Sequence, residues 1–417
     1  FEGAALPGSG PGPHFITVLF IKNGKDKIKD QLLSALATTF IILSQNVNLQ
    51  NQKSKIRFMK LILFCFSVFF LVGNLYSQTS NNQKIYKIWD DQPAPNRGGD
   101  FKVTKAGGLP YDADWELKSY PLGNGYMGAS FFGRTDIERI QITEKTLFNR
   151  GLYGLGSITN FAEILLEFNH HDPENYNRSL NINEAIANIA YSHKGVNYHR
   201  EYFMSYPDKV MLIKLSANKK GKISFRLKPE LPYVQDSTEY DARSGIVVAK
   251  NDLITMTGCI NYYSLNYEAQ IKVINEGGKI AAVNNNEKGE LIVSDANSVV
   301  LIIATGTNYT LSEKVISENT KKQKLDITVT PHKQVSKLIE GASVIGFDRL
   351  KEEHLSDYQN LFSRVSLNLN SEVPDIKTEY LLENYKAGIE SPYLEELMFQ
   401  YGRYLLISSS RKGALPS

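Results

Sequence analysis

The chain has 417 residues, 42% hydrophobic and 22% charged, the balance of an ordinary globular protein with room for two or three domains. Its formal charge of +3 hides an asymmetry, because residues 1–77 carry eight Lys/Arg against three acids and leave the remainder at −2. That excludes the clustered basic footprint of a nucleic-acid binder, and two cysteines, Cys65 and Cys259, exclude a disulfide-built scaffold.

Residues 1–58 do not read as a domain. Gly8-Ser9-Gly10-Pro11-Gly12-Pro13 is linker-like. The apolar run Leu32–Leu43 is shorter than the roughly 20 residues that span a bilayer. Met59-Lys60, an apolar core Leu61–Val72 and small or polar residues to Ser77-Gln78 have the form of a secretory signal peptide over 59–77. A signal belongs at a start, so translation is expected to begin at Met59, with 1–58 an upstream extension; the alternative is a signal-anchor with a cytoplasmic tail. No Cys stands at the cleavage point to take a lipid. The mature protein is expected to be secreted or periplasmic, without a stable membrane anchor once the signal is removed.

Residues 79–118 are polar and turn-rich. The stretch from Ser119 to Gly151 then opens with Pro121-Leu122-Gly123-Asn124-Gly125, whose Asn-Gly pair favours a type I′ turn. Met127–Phe132 reads as a short strand, Gly133–Asp136 as a second turn, and Ile140 and Ile142 alternate with polar residues along another strand. Ile164, Leu166 and Phe168 mark a further strand. Tyr198–Met204 and Lys209–Leu215 read as strands joined by the turn Ser205-Tyr206-Pro207-Asp208, followed by alternation at Ile223, Phe225 and Leu227. Strands continue at Ile246–Ala249, Leu253–Thr257, Tyr262–Ile274, Val299–Ala304 and Leu325–Val329. Many short strands with Gly/Asn turns argue for a large β-sandwich.

At about residue 333 the period changes. Gly346-Phe347-Asp348 leads into a helix with Leu350, His354, Leu355, Tyr358 and Leu361 along one side. A connector strand, Val365–Leu369, and a helix over 376–387 follow. Ser391-Pro392 offers an N-cap and a first-turn proline, and Leu394, Leu397, Met398, Tyr401 and Leu405 make an apolar face in need of a partner.

Three series of residues occur in a telling order: PLGNG, MGA, FG, ERIQ and EKTLF within 121–148, then REYF and YPD within 200–208, then FQYGRYLLISSSR over 399–411. Over about 83–417 this order resembles glycoside hydrolase family 95, the inverting α-L-fucosidases and related α-L-galactosidases. There the first segment reads roughly PLGNGRxGAxxFGGxxxERIQLNExTLW. Tyr126 stands where the family often has Arg, and Phe148 where it usually has Trp. Trp115 resembles the Trp the family carries shortly before the motif, and the chain is short between the TLW-like and GLG-like segments.

The resemblance implies a mainly β fold. A large N-terminal β-supersandwich (78–332) is followed by linker helices and the connector strand (333–390) and by the first helix of a truncated (α/α)6 barrel (391–417). It implies removal of terminal α-L-fucosyl or α-L-galactosyl residues by single displacement, with no cofactor or metal. The implied partners are a fucosylated or galactosylated glycan and the chain's own missing barrel. In the family the acid, a Glu, and the Asp with neighbouring Asn residues that activates water lie in the barrel, beyond the point matching Ser417. No catalytic residue is therefore carried onto this chain, which is expected to be a non-catalytic part of a hydrolase. The alternative is a stand-alone carbohydrate-binding β-sandwich without activity.

Within the chain, Asn124 is the candidate substrate-binding residue: it could touch sugar or brace a barrel loop, or stand there because the turn needs φ > 0. Glu138 and Glu144, on one extended strand, would lie about 20 Å apart at 3.3 Å per residue, too far for paired acid/base work. Solvated carboxylates or a structural bond to the turn is the alternative. His170-His171-Asp172 offers metal-capable side chains that point to opposite faces if they lie on a strand. His193 and His199 read as surface or hydrogen-bonded histidines, and Cys259 as a buried small hydrophobe. No Gly-rich loop between a strand and a helix supports nucleotide binding.

Overall fold

Strands such as Met127–Phe131 and Ile223–Glu230 alternate buried and more exposed side chains, the period of a sheet with one face on a core. The structure, a computed structural model, describes residues 84–95, 113–149, 157–232, 234, 243–261, 263–286, 288–310 and 325–412. The expected extension 1–58 and the expected signal peptide 59–77 lie outside these residues. The strands are β1 (Lys87–Asp90), β2 (Tyr120–Gly123), β3 (Met127–Phe131), β4 (Ile137–Asn149), β5 (Ser157–Glu167), β6 (Glu174–Asn181), β7 (Ile186–His193) and β8 (Val196–Ser205). They continue as β9 (Val210–Ala217), β10 (Ile223–Glu230), β11 (Arg243–Lys250), β12 (Leu253–Ile260), β13 (Leu265–Glu276), β14 (Lys279–Asn285), β15 (Lys288–Ala296) and β16 (Ser298–Thr307). The helices are α1 (Ala113–Lys118), α2 (His332–Ile345), α3 (Phe347–Phe362), α4 (Thr378–Lys386) and α5 (Pro392–Ser409).

Among the described residues the strands form a nine-stranded sheet, β1-β6-β7-β8-β9-β16-β13-β12-β11, and a seven-stranded sheet, β14-β15-β10-β5-β4-β3-β2. Their inner faces share one core. Phe131 stacks on Tyr202 with ring centroids 5.0 Å apart, and Phe161 meets Tyr267 edge-on at 5.0 Å. The outer face of the large sheet is covered as well. Phe203, Leu212 and Ile302 pack against Val335 and Ile339 of α2 and Leu350 of α3. Double coverage explains why Val210–Ile213 is buried without alternation.

A charged cluster links the sheets. Glu138, fully buried on β4, accepts hydrogen bonds from the backbone N–H of Phe132 (3.0 Å) and Gly133 (2.9 Å). Arg200 of β8 in the opposite sheet pairs with the same carboxylate at 3.2 Å, and the Tyr202 hydroxyl donates to it at 3.3 Å. Arg178 of β6 crosses alongside and donates to the carbonyls of Phe132 (2.6 Å) and Lys118 (2.7 Å). At the far edge, Asn284 of β14 bonds both the N–H and the C=O of Ala249 on β11 (2.9 and 2.8 Å), so side-chain amides occupy ladder groups that an edge strand would otherwise expose.

Two expected strands are absent. Val365–Leu369 pairs with no strand; side chains satisfy its backbone instead, among them the Tyr86 hydroxyl, which donates to the Leu367 carbonyl at 3.3 Å, and two from α5. Arg403 donates to the Val365 carbonyl at 2.7 Å, and Glu396 accepts from the Leu369 N–H at 2.5 Å. Residues 325–330 form a turn, closed by Val329 N–H to Asp326 C=O, and its carbonyls are taken by the amides of Asn266 and Asn308. Among the described residues no helix is long and apolar enough to cross a membrane.

Arg200→Met should destabilise the fold by roughly 3–5 kcal/mol, because it leaves the Glu138 carboxylate buried without its counter-charge. Urea unfolding of Arg200→Met, Glu138→Gln and the double variant checks this: the double variant should be less impaired than the sum of the singles.

Candidate functional site

The turn at Gly123-Asn124-Gly125 is not type I′. Gly125 alone of the three has positive φ, 83°, so Asn124 is not there for backbone conformation. Its side chain closes the turn. Oδ1 accepts from the N–H of Tyr126 (3.1 Å) and Met127 (3.0 Å), and Nδ2 donates to the Ser205 carbonyl (2.9 Å). Asn124 is 2% exposed. It ties the β2–β3 hairpin to the turn between β8 and β9.

The third partner is the end of α5. This helix starts as its residues dictate: Ser391 Oγ accepts from the Leu394 N–H at 3.2 Å, with Pro392 in the first turn. Tyr393, Leu394, Leu397 and Tyr404 are buried against the β-domain, and the Tyr404 hydroxyl donates to the Pro121 carbonyl at 2.6 Å. The apolar face expected from the sequence is split. Leu394 and Leu397 are buried, whereas Met398 and Leu405 are exposed with Phe399 and Leu406 on the other side. At its last turn the helix touches the hairpin directly, as Gly125 N–H donates to the Ser408 carbonyl at 2.7 Å. A Cβ on Gly123 would stand 2.7 Å from that carbonyl oxygen, and one on Gly125 only 2.5 Å from Arg411 Cγ. Both glycines are therefore required by close approach.

Three segments distant in sequence thus meet at one point: the PLGNG turn, the Ser205–Asp208 turn and the SSSR end of α5. Residues 88–154 and 148–312, together more than half of the chain, match the family model described as "Glycosyl hydrolase family 65, N-terminal domain". Residues 346–417 match "Glycosyl hydrolase family 95 catalytic domain". The chain belongs to the family 95-like glycosyl hydrolases that carry this N-terminal β-domain. It is 26% identical to "Alpha-L-fucosidase 2" of Arabidopsis thaliana, over 70% of this chain and 40% of that protein. It is also 26% identical to "Probable alpha-fucosidase A" of Aspergillus niger, over 82% of this chain and 40% of the relative. The chain spans about two-fifths of the length of these curated relatives. A solved structure described as "Putative kojibiose phosphorylase from human microbiome" aligns with 78% of the chain and 41% of its own length, at 12% identity and a TM-score of 0.44.

In this family 95-like chain the remaining candidates divide into structural groups and one cleft. Glu138 is the structural bond to the turn described above, and burial pushes its carboxyl up against the pull of Arg200 and two backbone N–H groups. Glu163, equally buried, pairs with Arg139 at 2.9 Å. Glu396 is fully buried and accepts from the Tyr86 hydroxyl at 3.0 Å. His170 lies in the loop after β5 rather than on a strand. Its ring stacks on His193 at 4.6 Å, its Nδ1 meets the Tyr191 hydroxyl at 2.8 Å, and burial pushes its pKa down to about 4. His199 pairs with Asn188 at 3.0 Å. Cys259 is half-buried, not core, and lines an open cleft of about 410 Å³ with Gly245, Gly258, Glu268 and His332. His332 Nδ1 lies 2.9 Å from the buried Glu268 carboxylate there. Sequence reasoning missed this pair, since 64 residues separate its members.

Glu144 is the buried acid with a resolved consequence. It accepts from the N–H and hydroxyl of Thr146 (2.7 and 2.6 Å), yet burial pushes its pKa up to about 7 from 4.5. The native carboxyl keeps its proton up to about pH 7, and the unfolded chain releases it near 4.5. Stability therefore falls as pH rises through that window and levels above it. His354, pushed down to about 4 by burial, acts oppositely, costing stability as pH drops below about 6.5. Glu144→Gln separates the two: the wild-type-minus-variant difference in unfolding free energy should fall by about 2.5 kcal/mol between pH near 5 and pH near 8. Urea titrations at both pH values check it, and a flat difference would contradict the assignment.

Proposed function

We propose that this chain is the N-terminal part of an exported glycoside hydrolase that removes terminal α-L-fucosyl, or α-L-galactosyl, residues from glycans with inversion. Its own role is non-catalytic. The observation that carries the reading is the family 95 catalytic-domain match at residues 346–417, which coincides with α3, α4 and α5. The names of the curated relatives support the fucoside as substrate.

Inverting hydrolysis needs two carboxyl groups about 6.5–9.5 Å apart, flanking the sugar with room for a water. Glu138, Glu163 and Glu396 are all buried and already engaged by protein donors. They are poorly suited to protonate a leaving group or activate water. In this reading the acid and base lie in the rest of the catalytic domain. Its helices would also cover the exposed Met398, Phe399 and Leu406 of α5, an apolar side that a lone surface helix would seldom present. Asn124 acts in this reading by bracing the hairpin against the turn between β8 and β9, beside the point where Gly125 meets α5. The signal-like segment 59–77 supports export to the periplasm or medium.

Residues 78–417 alone should release no aryl aglycone from an aryl α-L-fucoside above a mock-purified blank. The full-length protein should hydrolyse it, with β-L-fucose as the first anomer seen by proton NMR. Turnover by 78–417, or an α-anomer as first product, would overturn the proposal.

A further inference from the structure

The close approach at Gly123 and Gly125 is only one side of a tighter arrangement around the residues that leave α5. The Tyr126 and Tyr206 rings stack at 5.8 Å with 12° between their planes. Lys209 Nζ sits 4.4 Å above the Tyr126 ring, and the Arg411 guanidinium 4.1 Å above the Tyr206 ring. The outer faces of this pair thus carry cations. The Tyr206 hydroxyl donates to the Lys412 carbonyl at 2.7 Å, and Arg411 also pairs with Asp357 of α3. The last buried side chain of α5 is Ser408. Beyond it, Ser409, Ser410, Arg411 and Lys412 offer no apolar anchor of their own. Their path is set by contacts from the β-domain and α3.

We propose that Tyr126, Tyr206, Arg411 and Asp357 form a clamp that fixes the exit path of the chain from α5, and that Tyr206 and Arg411 are positioning residues for the reaction. The second clause rests on the hydrolase reading above. The Tyr206 hydroxyl bond is exposed and the Asp357 carboxylate is partly open to water, while the Arg411 side chain is largely buried; these contacts lie outside the core shared by the sheets, so losing one leaves the sandwich folded. It would nevertheless release the segment that leads into the remainder of the catalytic domain. A displacement of an ångström transmitted to reacting groups costs rate far more than binding.

Tyr206→Phe removes the hydroxyl, with its bond to Lys412 and its polar contact with Tyr126, and keeps the ring. Arg411→Ala removes the cation and the ion pair, and Arg411→Lys restores a charge. In the full-length protein, amide hydrogen exchange at residues 409–412 should speed by about tenfold in Tyr206→Phe and Arg411→Ala, while β8 and β9 stay unchanged. On an aryl α-L-fucoside kcat should fall by about tenfold with KM within about twofold, the melting temperature should hold within about 2 °C, and Arg411→Lys should recover part of the loss. Unchanged exchange would overturn the clamp. Faster exchange with unchanged kcat, or a loss of kcat that merely tracks a lowered melting temperature, would overturn the positioning role. If the wild-type protein hydrolyses no α-L-fucoside, the hydrolase reading and the positioning role fall together, and the exchange data alone decide the clamp.

Discussion

Glu138 is sealed from water where the two sheets face each other, and its carboxylate needs four donors to stay there. Two come from the backbone at Phe132 and Gly133 in its own sheet, and two from Arg200 and Tyr202 in the other. A buried charge with that many partners tolerates little displacement, because losing any one exposes the desolvation cost of the rest. The turn after β3 is thereby fixed, and the register of β3 on β4 follows. With it goes the β2–β3 hairpin, whose tip meets the end of α5. Arg178, donating to the carbonyls of Phe132 and Lys118 beside the same turn, adds a second tie between the sheets.

The helices depend on this frame. The large sheet is covered on its outer face by α2 and α3, so its central strands are buried on both sides. α5 rests through Tyr393, Leu397 and Tyr404 on the β-domain, and its opposite side is apolar and open. The segment 365–369 lies along α5, held by Glu396 and Arg403 rather than by a ladder. In the proposed enzyme the β-domain supplies a rigid reference and the chemistry is left to the helical domain.

Much of this architecture is legible in the residues themselves. Period-two alternation marks β3 to within a residue and the start of β10, and Ser391-Pro392 marks the start of α5, because these signals are local. What the pattern missed is non-local. For Glu138 and Glu144 the sequence left open solvated carboxylates or a structural bond to the turn; Glu138 makes that bond, but hydrophobicity could not choose it, because the counter-charge is an arginine 62 residues away. Asn124 sits in an Asn-Gly pair that suggests a backbone-driven turn, yet its partner is the carbonyl of Ser205, 81 residues on. Val365–Leu369 has the composition of a strand, but its backbone groups are taken by the side chains of Glu396 and Arg403, far along the sequence, rather than by a ladder. His332–Ile345 was not singled out as a helix, since its apolar positions, Val335, Ile339 and Ala342, are few among polar neighbours. The order of the three motif series was readable in the sequence; their meeting at one point was not.

The most direct measurement is to sequence the gene beyond the codon for Ser417. The expected result is an open frame that continues for the larger part of the curated relatives' length and later supplies a Glu and an Asp within helical sequence. A stop codon directly after Ser417 would contradict the hydrolase account and leave a β-sandwich protein whose helical side must be explained by another partner.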